Sequence, residues 1–241
     1  MKSIGGIVMA FIVSLLLAMG VSNYEFFHAP TFTYRYKLTI QAVVDGHVVS
    51  ASNVSEVSQM MDIDKSVHAG MRGEALYLDL GPGHRPLIAS LSPRPKSETA
   101  TSKSCWGQNG PTCLTDLYAI PKLEWDLDSK KLNGFDELLR QRGPRDISPE
   151  QLSLLVTFAD VNEPKTVLEV DPANPNQALG GGFAWKRITL EITDEAVTTG
   201  LENKLGWLIN WPGGMLDGNR VTKNTTLANN LSPFDFRRPV K

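Results

Sequence analysis

The sequence lacks an excess of charge of either sign. Its 24 basic and 26 acidic side chains leave a formal net charge of −2. A nucleic-acid-binding protein needs a basic patch to contact phosphates, and an anionic membrane surface attracts a basic stripe in the same way. We therefore predict no nucleic-acid partner and no electrostatic attachment to lipid.

Short catalytic motifs are also missing. The chain contains no Gly-x-Ser-x-Gly, no His-Glu-x-x-His and no Ser-x-x-Lys. A catalytic triad assembles from residues that are distant in sequence, so a periplasmic hydrolase with a loop-borne site stays as the alternative function. The candidate residues for such a site are His47, Asp62, Asp64, His68 and His84. The sequence predicts neither a cofactor nor an assembled catalytic motif.

One long apolar run is present, at the N-terminal end. From Ile4 to Ser22 the chain has 19 uncharged residues, which reach roughly 28 Å as a helix, close to the thickness of a bilayer core. Lys2 precedes the run and the small residues Ala18-Met19-Gly20 offer a cleavage site, so residues 1–25 are either a signal peptide or a single transmembrane anchor. Both alternatives carry the remaining chain across the membrane.

This segment predicts the location of the protein. We expect it in the bacterial inner membrane with its domain facing the periplasm, or released into the periplasm. No cysteine follows the apolar run, which excludes a lipoprotein. The expected partners are the membrane, through the N-terminal segment, and an unknown envelope protein.

Cysteine is scarce: Cys105 and Cys113 are the only two. In an exported domain such a pair indicates a disulfide, here closing the short loop 106–112. A loop of this size gives only about 2.5 kcal/mol of stabilisation in the chain-entropy model, so we predict a local staple. Free or intermolecular thiols are the alternative, whereas the spacing is not the Cys-x-x-Cys of redox or metal pairs.

The clearest structural pattern begins at Phe32. Apolar and polar residues alternate from Phe32 to Val44, which predicts a long strand with one buried face. Asp45-Gly46 suits a tight hairpin turn, and Val48 to Val57 returns as a second strand. A further hairpin is predicted around Gly81-Pro82-Gly83-His84, with His84 exposed in the turn.

Several short helices are expected, and two of them have a capping signal. Gly134 to Arg142 predicts one helix, with Asn133 as its N-cap and an apolar face formed by Phe135, Leu138 and Leu139. Thr199 and Glu202 have the spacing of a capping box, which predicts a second helix from Gly200 to Ile209. Leu152 to Phe158 reads as a strand covered on both faces.

Together these elements predict an α+β fold. It is mainly an antiparallel sheet built from hairpins with a few short helices, preceded by one N-terminal apolar helix. We expect a single domain over residues 31–216. The polar residues 217–241 form a tail that is mobile unless Phe234 and Phe236 dock on the body.

Two segments are candidates for function. Met60 to Ala69 contains Asp62, Asp64 and His68; we interpret it as a solvated loop, because these residues lack any complete metal signature. The segment Ser92 to Cys113 begins as a long polar loop and ends in the cysteine pair. Long loops carry binding function, so this segment is our predicted interaction surface.

Four stretches resemble a group of uncharacterised bacterial, chiefly proteobacterial, proteins with an N-terminal apolar segment. They are FTYRYKLTIQAVVDGHVVSASNVSEV, GEALYLDLG, LLVTFADVNEPKTVLEVDP and RITLEITDEAVTTGLENKLGWL. The resemblance implies a Gram-negative envelope location, and it brings no activity, substrate or catalytic residue with it.

Overall fold

The structure is a computed structural model that describes residues 30–62, 64–94, 104–211, 213–223 and 226–238. The expected apolar helix within residues 1–25 lies outside this range, as does most of the polar part of the predicted interaction surface, residues 95–103. Within the described residues, no helix has the length and apolar character needed to cross a membrane.

A long antiparallel hairpin forms the centre of the fold. Strand β1 (Thr31–Val44) pairs along its whole length with β2 (His47–Met61). Asp45 and Gly46 join them with φ angles of 49° and 82°, the left-handed pair that a tight hairpin turn of this kind requires. The first predicted hairpin is therefore confirmed, and its second strand extends beyond Val57.

All strand pairs among the described residues are antiparallel. The remaining strands are β3 (Val67–Glu74), β4 (Leu76–Leu78), β5 (Leu87–Ala89), β6 (Trp106–Gly107), β7 (Gly110–Pro111), β8 (Glu124–Asp126), β9 (Lys131–Asn133), β10 (Arg145–Asp146), β11 (Leu155–Phe158), β12 (Val167–Glu169), β13 (Phe183–Ile192) and β14 (Arg237–Arg238). A six-stranded sheet has the order β10-β13-β1-β2-β3-β14, and a four-stranded sheet has the order β12-β11-β5-β4. Two small ribbons, β6-β7 and β8-β9, complete the strands.

Helices are short and few. They are α1 (Leu114–Leu117), α2 (Phe135–Arg140), α3 (Asn176–Leu179) and α4 (Leu227–Asn230), with single 3-10 turns at Pro149–Gln151, Pro164–Thr166, Leu201–Asn203, Gly206–Leu208 and Pro233–Asp235. The described residues thus form a mostly antiparallel fold with short helices, consistent with the α+β class.

The two inner strands of the four-stranded sheet, β5 and β11, are buried on both faces. One face contributes Leu76 and Leu155 to a core shared with the apolar side of β1, which includes Ile40. The other face contributes Val156 and Phe158 to a second core, built with the 3-10 turns and the C-terminal residues. All four residues of β11 are buried, which confirms that this strand is covered on both faces, but it begins at Leu155 and not at the predicted Leu152.

The C-terminal residues pack on the body. Phe236 is fully buried in the second core, whereas Phe234 is 67 % exposed. Leu216 donates its N–H to the carbonyl of Leu231 at 2.8 Å, and Arg237 of β14 pairs with Glu74 of β3. Phe236 is therefore docked on the body and Phe234 is not, and the described residues 226–238 pack on the fold together with Phe236.

The helix predicted from Gly200 to Ile209 is wrong. Two separate 3-10 turns occupy the segment, and Gly200 precedes the first with φ of 110°. The N–H of Leu201 is bonded at 2.7 Å to a carboxylate oxygen of Glu74, so a residue distant in sequence supplies the acceptor expected from Thr199.

Helix α2 differs from its prediction at both ends. Its N-cap residue is Gly134, since Asn133 belongs to β9. Phe135 and Leu138 are buried as expected, but Leu139 is 36 % exposed and lies off the buried face.

Candidate functional site

The cysteine pair closes a small hairpin, residues 105–113, which we call the disulfide hairpin. Cys105 and Cys113 are bonded, with their Cα atoms 5.0 Å apart, so the predicted disulfide is confirmed. Strands β6 and β7 lie between them, and Thr112 donates its N–H and its hydroxyl to the carbonyl of Cys105 at 2.6 and 3.0 Å. Cys113 directly precedes α1, so the same bond fixes the start of that helix.

The disulfide hairpin is held against the six-stranded sheet. The ring of Trp106 meets the ring of Tyr36 edge to face, with 6.0 Å between the centroids. Arg238 of β14 donates to the carbonyl of Gln108 at 2.7 Å. A Cβ at Gly110 would come within 2.9 Å of the Val57 side chain, so the backbone approaches the sheet as closely as glycine permits.

Two cavities border the disulfide hairpin. The first has a volume of about 520 Å³ and lies between the disulfide hairpin, α1 and the sheet residues Tyr34, Val57 and Gln59. Burial raises the pKa of Tyr34, so this part of its wall stays uncharged. The second cavity has a volume of about 660 Å³, and Arg94, Trp106 and Asp235 are among the residues around it.

Gln108 lines both cavities and is itself exposed. The described parts of the predicted interaction surface, residues 92–94 and 104–113, thus border two open spaces large enough for a ligand or for side chains of another protein. Sequence analysis did not single out Arg94 or Gln108, and nothing in the local sequence distinguishes them from other polar surface residues.

The prediction of a solvated loop from Met60 to Ala69 is wrong in its length, because the loop is shorter in the structure. Strand β2 continues to Met61 and β3 starts at Val67, which leaves a tight turn. The turn is closed by hydrogen bonds from Asp62 N–H to the Ser66 carbonyl, at 2.8 Å, and from Lys65 N–H to the Asp62 carbonyl, at 3.0 Å.

Asp62, Asp64 and His68 come together in this turn, with Ser66 between them. The Ser66 hydroxyl donates to Asp64 at 2.6 Å, and hydrogen bonds from Ser66 lower the pKa of that carboxyl. His68 Nε2 lies 3.1 Å from Ser66 Oγ and 3.3 Å from Asp62 Oδ2. In a triad the serine and the carboxylate contact different ring nitrogens, so this exposed cluster does not have that arrangement.

The other two candidate histidines, His84 and His47, lie elsewhere. His84 Nε2 is 2.7 Å from Asp45 Oδ2, and its side chain is only 15 % exposed, so the prediction of an exposed His84 is wrong. The pairing is possible because the two hairpin turns meet at one end of the molecule, where Asp45 N–H also donates to the carbonyl of Gly182. His47 stands exposed at the start of β2. Across the described residues, no group of three or more His, Cys, Asp or Glu side chains could hold a metal ion.

A charged cluster that sequence analysis missed crosses three strands of the six-stranded sheet. Glu56 of β2 lies between Arg35 of β1 and Arg72 of β3, with Nε to carboxylate distances of 2.8 and 2.6 Å. Burial alone would raise the pKa of Glu56, but its contacts with Arg72 and Arg35 outweigh burial and hold that pKa below its ordinary value. The strand register places residue 35 opposite residue 56, and residue 56 opposite residue 72. The cluster could be predicted only with this register, which no local sequence pattern contains.

We expect Glu56→Gln to lower the free energy of unfolding at pH 7 by about 1–3 kcal/mol, because two guanidinium groups lose their charged partner. The lowered pKa gives stability that is present above the carboxyl's unfolded-state pKa and is lost as the pH falls through the folded-state value. Urea unfolding at pH 7 and near pH 3 should therefore show the difference between Glu56→Gln and wild type shrinking in acid.

Glu163→Gln is the matched control, since its side chain is 53 % exposed and its carboxylate forms a salt bridge with Lys165 at 3.4 Å. Its effect should stay within about 0.5 kcal/mol at both pH values. An equal loss for Glu56→Gln at both pH values would contradict the role given to its charge.

No protein-family model matches the chain, and searches of curated proteins and of solved structures find no significant match. The resemblance to uncharacterised proteobacterial proteins therefore stays an expectation.

Proposed function

We propose that the chain is an exported or membrane-anchored cell-envelope protein whose folded part binds a partner through the disulfide hairpin. The observation that carries the proposal is the placement of Gln108 in the disulfide hairpin: it is exposed, and it lines both cavities. A partner that covers Gln108 can reach into both cavities at once.

Rigidity supports this use of the disulfide hairpin. The disulfide, the Trp106–Tyr36 contact and the bond from Arg238 to Gln108 hold the backbone in one position before a partner arrives. A surface that is ordered in advance loses little conformational entropy on binding. The disulfide hairpin therefore has the properties of a preformed contact surface.

The proposed location is the inner membrane with the domain in the periplasm, or the periplasm itself. The uncharged run from Ile4 to Ser22 supports export, and the Cys105–Cys113 disulfide supports an oxidising compartment. The hydrolase alternative has less support, because the Ser66 hydroxyl proton is bonded to Asp64 and His68 presents one nitrogen to both neighbours.

Photo-crosslinking in living cells tests the proposal. With benzoylphenylalanine in place of Gln108, we expect a discrete crosslinked product in the envelope fraction. The same amino acid in place of Val48, which is 54 % exposed on β2, is the control for nonspecific contact and should give none. Recovery of the tagged chain in the cytoplasm, or equal crosslinking from both positions, would contradict the proposal.

A further inference from the structure

Strand β3 forms an open edge of the six-stranded sheet over most of its length. Strand β14 pairs with it only at Gly73 and Glu74 among the described residues, and residues 67–72 extend beyond that pairing. Exposure along β3 follows the same division, because Val67 and Ala69 are exposed whereas Gly73 and Glu74 are buried. The part of the edge that β14 leaves uncovered is therefore accessible.

The direction of the backbone groups of β3 follows from hydrogen bonds at its two ends. Asp62 donates its N–H to the carbonyl of Ser66 across the turn to β2, and Ala75 donates its N–H to the carbonyl of Phe236 beside β14. Successive residues of a strand point their N–H and carbonyl groups to opposite sides, so the even-numbered residues of β3 face β2 and the odd-numbered ones face outward. Residues 67, 69 and 71 thus present backbone groups to the open edge, and no described residue bonds to them there.

The first cavity lies on the same face of the sheet as the side chains of these outward-facing residues. Ala69 pairs with Gln59, and Met71 pairs with Val57. Ala69, Gln59 and Val57 all line the cavity. In a strand added to β3, the residue opposite Ala69 would have its Cβ about 5 Å from that of Ala69 and on the same face. Its side chain would enter the cavity.

The cavity suits an aliphatic side chain. Val57, Leu114 and Leu138 line it and are at most 3 % exposed. Gln108 lines it as well, and its carbonyl accepts a hydrogen bond from Arg238, the last residue of β14. The disulfide hairpin consequently lies beside the point where β14 ends and the open edge of β3 begins.

The opposite face of the edge carries more positive than negative charge in the cluster that crosses the sheet. Arg72 of β3 and Arg35 of β1 share the carboxylate of Glu56. Arg72 belongs to the edge strand, and its side chain is 34 % exposed. Opposite charges directly across a strand pair attract each other, so a carboxylate opposite Arg72 would balance the second guanidinium.

We infer that β3 binds an extended segment of another protein, which adds to the sheet as an antiparallel strand along residues 67–72. An aliphatic residue opposite Ala69 enters the first cavity, and an acidic residue opposite Arg72 balances the charged cluster. The inference rests on the proposed function and names how its partner is held. Residues 67–72 contain neither proline nor lysine, two residues with which proteins commonly block pairing at a sheet edge.

Fluorescence anisotropy with a labelled peptide tests the inference on the full chain, purified in the form that the cell produces. The probe is Glu-Val-Thr-Leu-Thr-Val with fluorescein at its N-terminus, in which Glu falls opposite Arg72 and Leu opposite Ala69. N-methylation of Leu should weaken binding about tenfold, because it removes a hydrogen bond to the Ala69 carbonyl. N-methylation of the preceding Thr is the matched control and should leave the affinity unchanged, since that N–H points away from β3.

A variant of β3 connects the edge to the partner in the cell. Ala69→Pro removes one outward N–H and keeps the bonds between β2 and β3, because an edge strand tolerates proline on its open side. We expect it to abolish the product crosslinked from position 108, whereas Ala69→Ser, which keeps the N–H, should retain the product. Urea unfolding of both variants verifies that the fold is kept, and the comparison of methylated peptides on the wild type requires no variant.

Equal affinity for the two methylated peptides, failure of the unmodified peptide to bind, or an unchanged crosslinked product in Ala69→Pro would overturn the inference. A dimer of the chain in sedimentation that Ala69→Pro dissociates would assign the edge to a second copy and would also overturn it. The same holds if the peptide binds only after residues 239–241 are removed.

The crosslinking experiment at Gln108 separates these failures from a failure of the proposed function. A product that survives Ala69→Pro would leave the contact surface standing and remove only the added strand. Absence of any product from position 108 in the wild type would remove the proposed function itself.

Discussion

Replacing Phe236 with alanine should lower the free energy of unfolding by about 3–5 kcal/mol, the largest effect we expect from a single side chain of the C-terminal region. Phe236 is fully buried, and its ring centroid lies 5.6 Å from that of Trp207 and 5.8 Å from that of Phe158. Truncation removes these contacts and leaves a cavity in the second core. Urea unfolding followed by tryptophan fluorescence measures the loss, since Trp207 is an immediate neighbour.

Phe234→Ala is the matched control. The two phenylalanines are separated by one residue, but Phe234 is 67 % exposed, so its truncation should change stability by less than about 0.5 kcal/mol. Similar small effects for both variants would show that the C-terminal residues do not pack on the body in solution.

Gly73→Ala should be the second large effect, with a loss of about 2–4 kcal/mol from overpacking and backbone strain together. Gly73 has φ of 143°, and a Cβ there would lie 2.5 Å from Ser55 Oγ, 2.9 Å from Ser55 Cβ and 3.1 Å from Ser55 Cα. The last of these atoms belongs to the backbone of β2, so rotation of the serine side chain cannot relieve the clash. The free energy of unfolding in urea measures the effect.

Gly83→Ala is the control that separates backbone strain from steric crowding by Ser55. Gly83 also has a positive φ, 82°, but no atom lies within 4 Å of the position that its Cβ would occupy. Its substitution should cost only the strain, about 1–2 kcal/mol. Adding Ser55→Ala to Gly73→Ala removes the nearest clashing atom and should restore part of the lost stability. Equal costs at Gly73 and Gly83 would show that β2 and β3 approach each other less closely at this point.

Local sequence patterns were sufficient to predict the elements that are formed by residues close together in the sequence. The alternation along β1 and the Asp45-Gly46 turn predicted the central hairpin, because the side-chain period and the turn geometry are both properties of neighbouring residues. The cysteine pair was predictable for the same reason, since its members are only eight positions apart in the sequence.

Predictions failed where a distant residue replaced a local partner. Thr199 and Glu202 have the spacing of a capping box, yet the N–H of Leu201 is bonded to Glu74, 127 residues away in the sequence. Similarly, His84 was expected to be exposed and instead contacts Asp45, 39 residues away. The tertiary contacts that bring these pairs together cannot be predicted from a local sequence pattern.

The sequence predicted the segment that carries the candidate site, but it did not predict the cavity. The segment Ser92 to Cys113 was recognised from its composition and its cysteines, but the cavity beside Arg94 is also built from Leu154, Leu227 and Asp235. These residues meet only when the four-stranded sheet and the C-terminal residues have packed. The cavity at Arg94 is therefore a property of the tertiary structure alone.

Strand β14, at residues 237–238, makes completion of the fold depend on contacts between residues far apart in the sequence. It occupies the edge of the six-stranded sheet beside β3, and the residue before it, Phe236, fills the second core. A chain cut before residue 236 would therefore leave all of β3 as an exposed sheet edge and the second core unfilled. Exposed sheet edges pair with other chains, so such a truncated chain should aggregate.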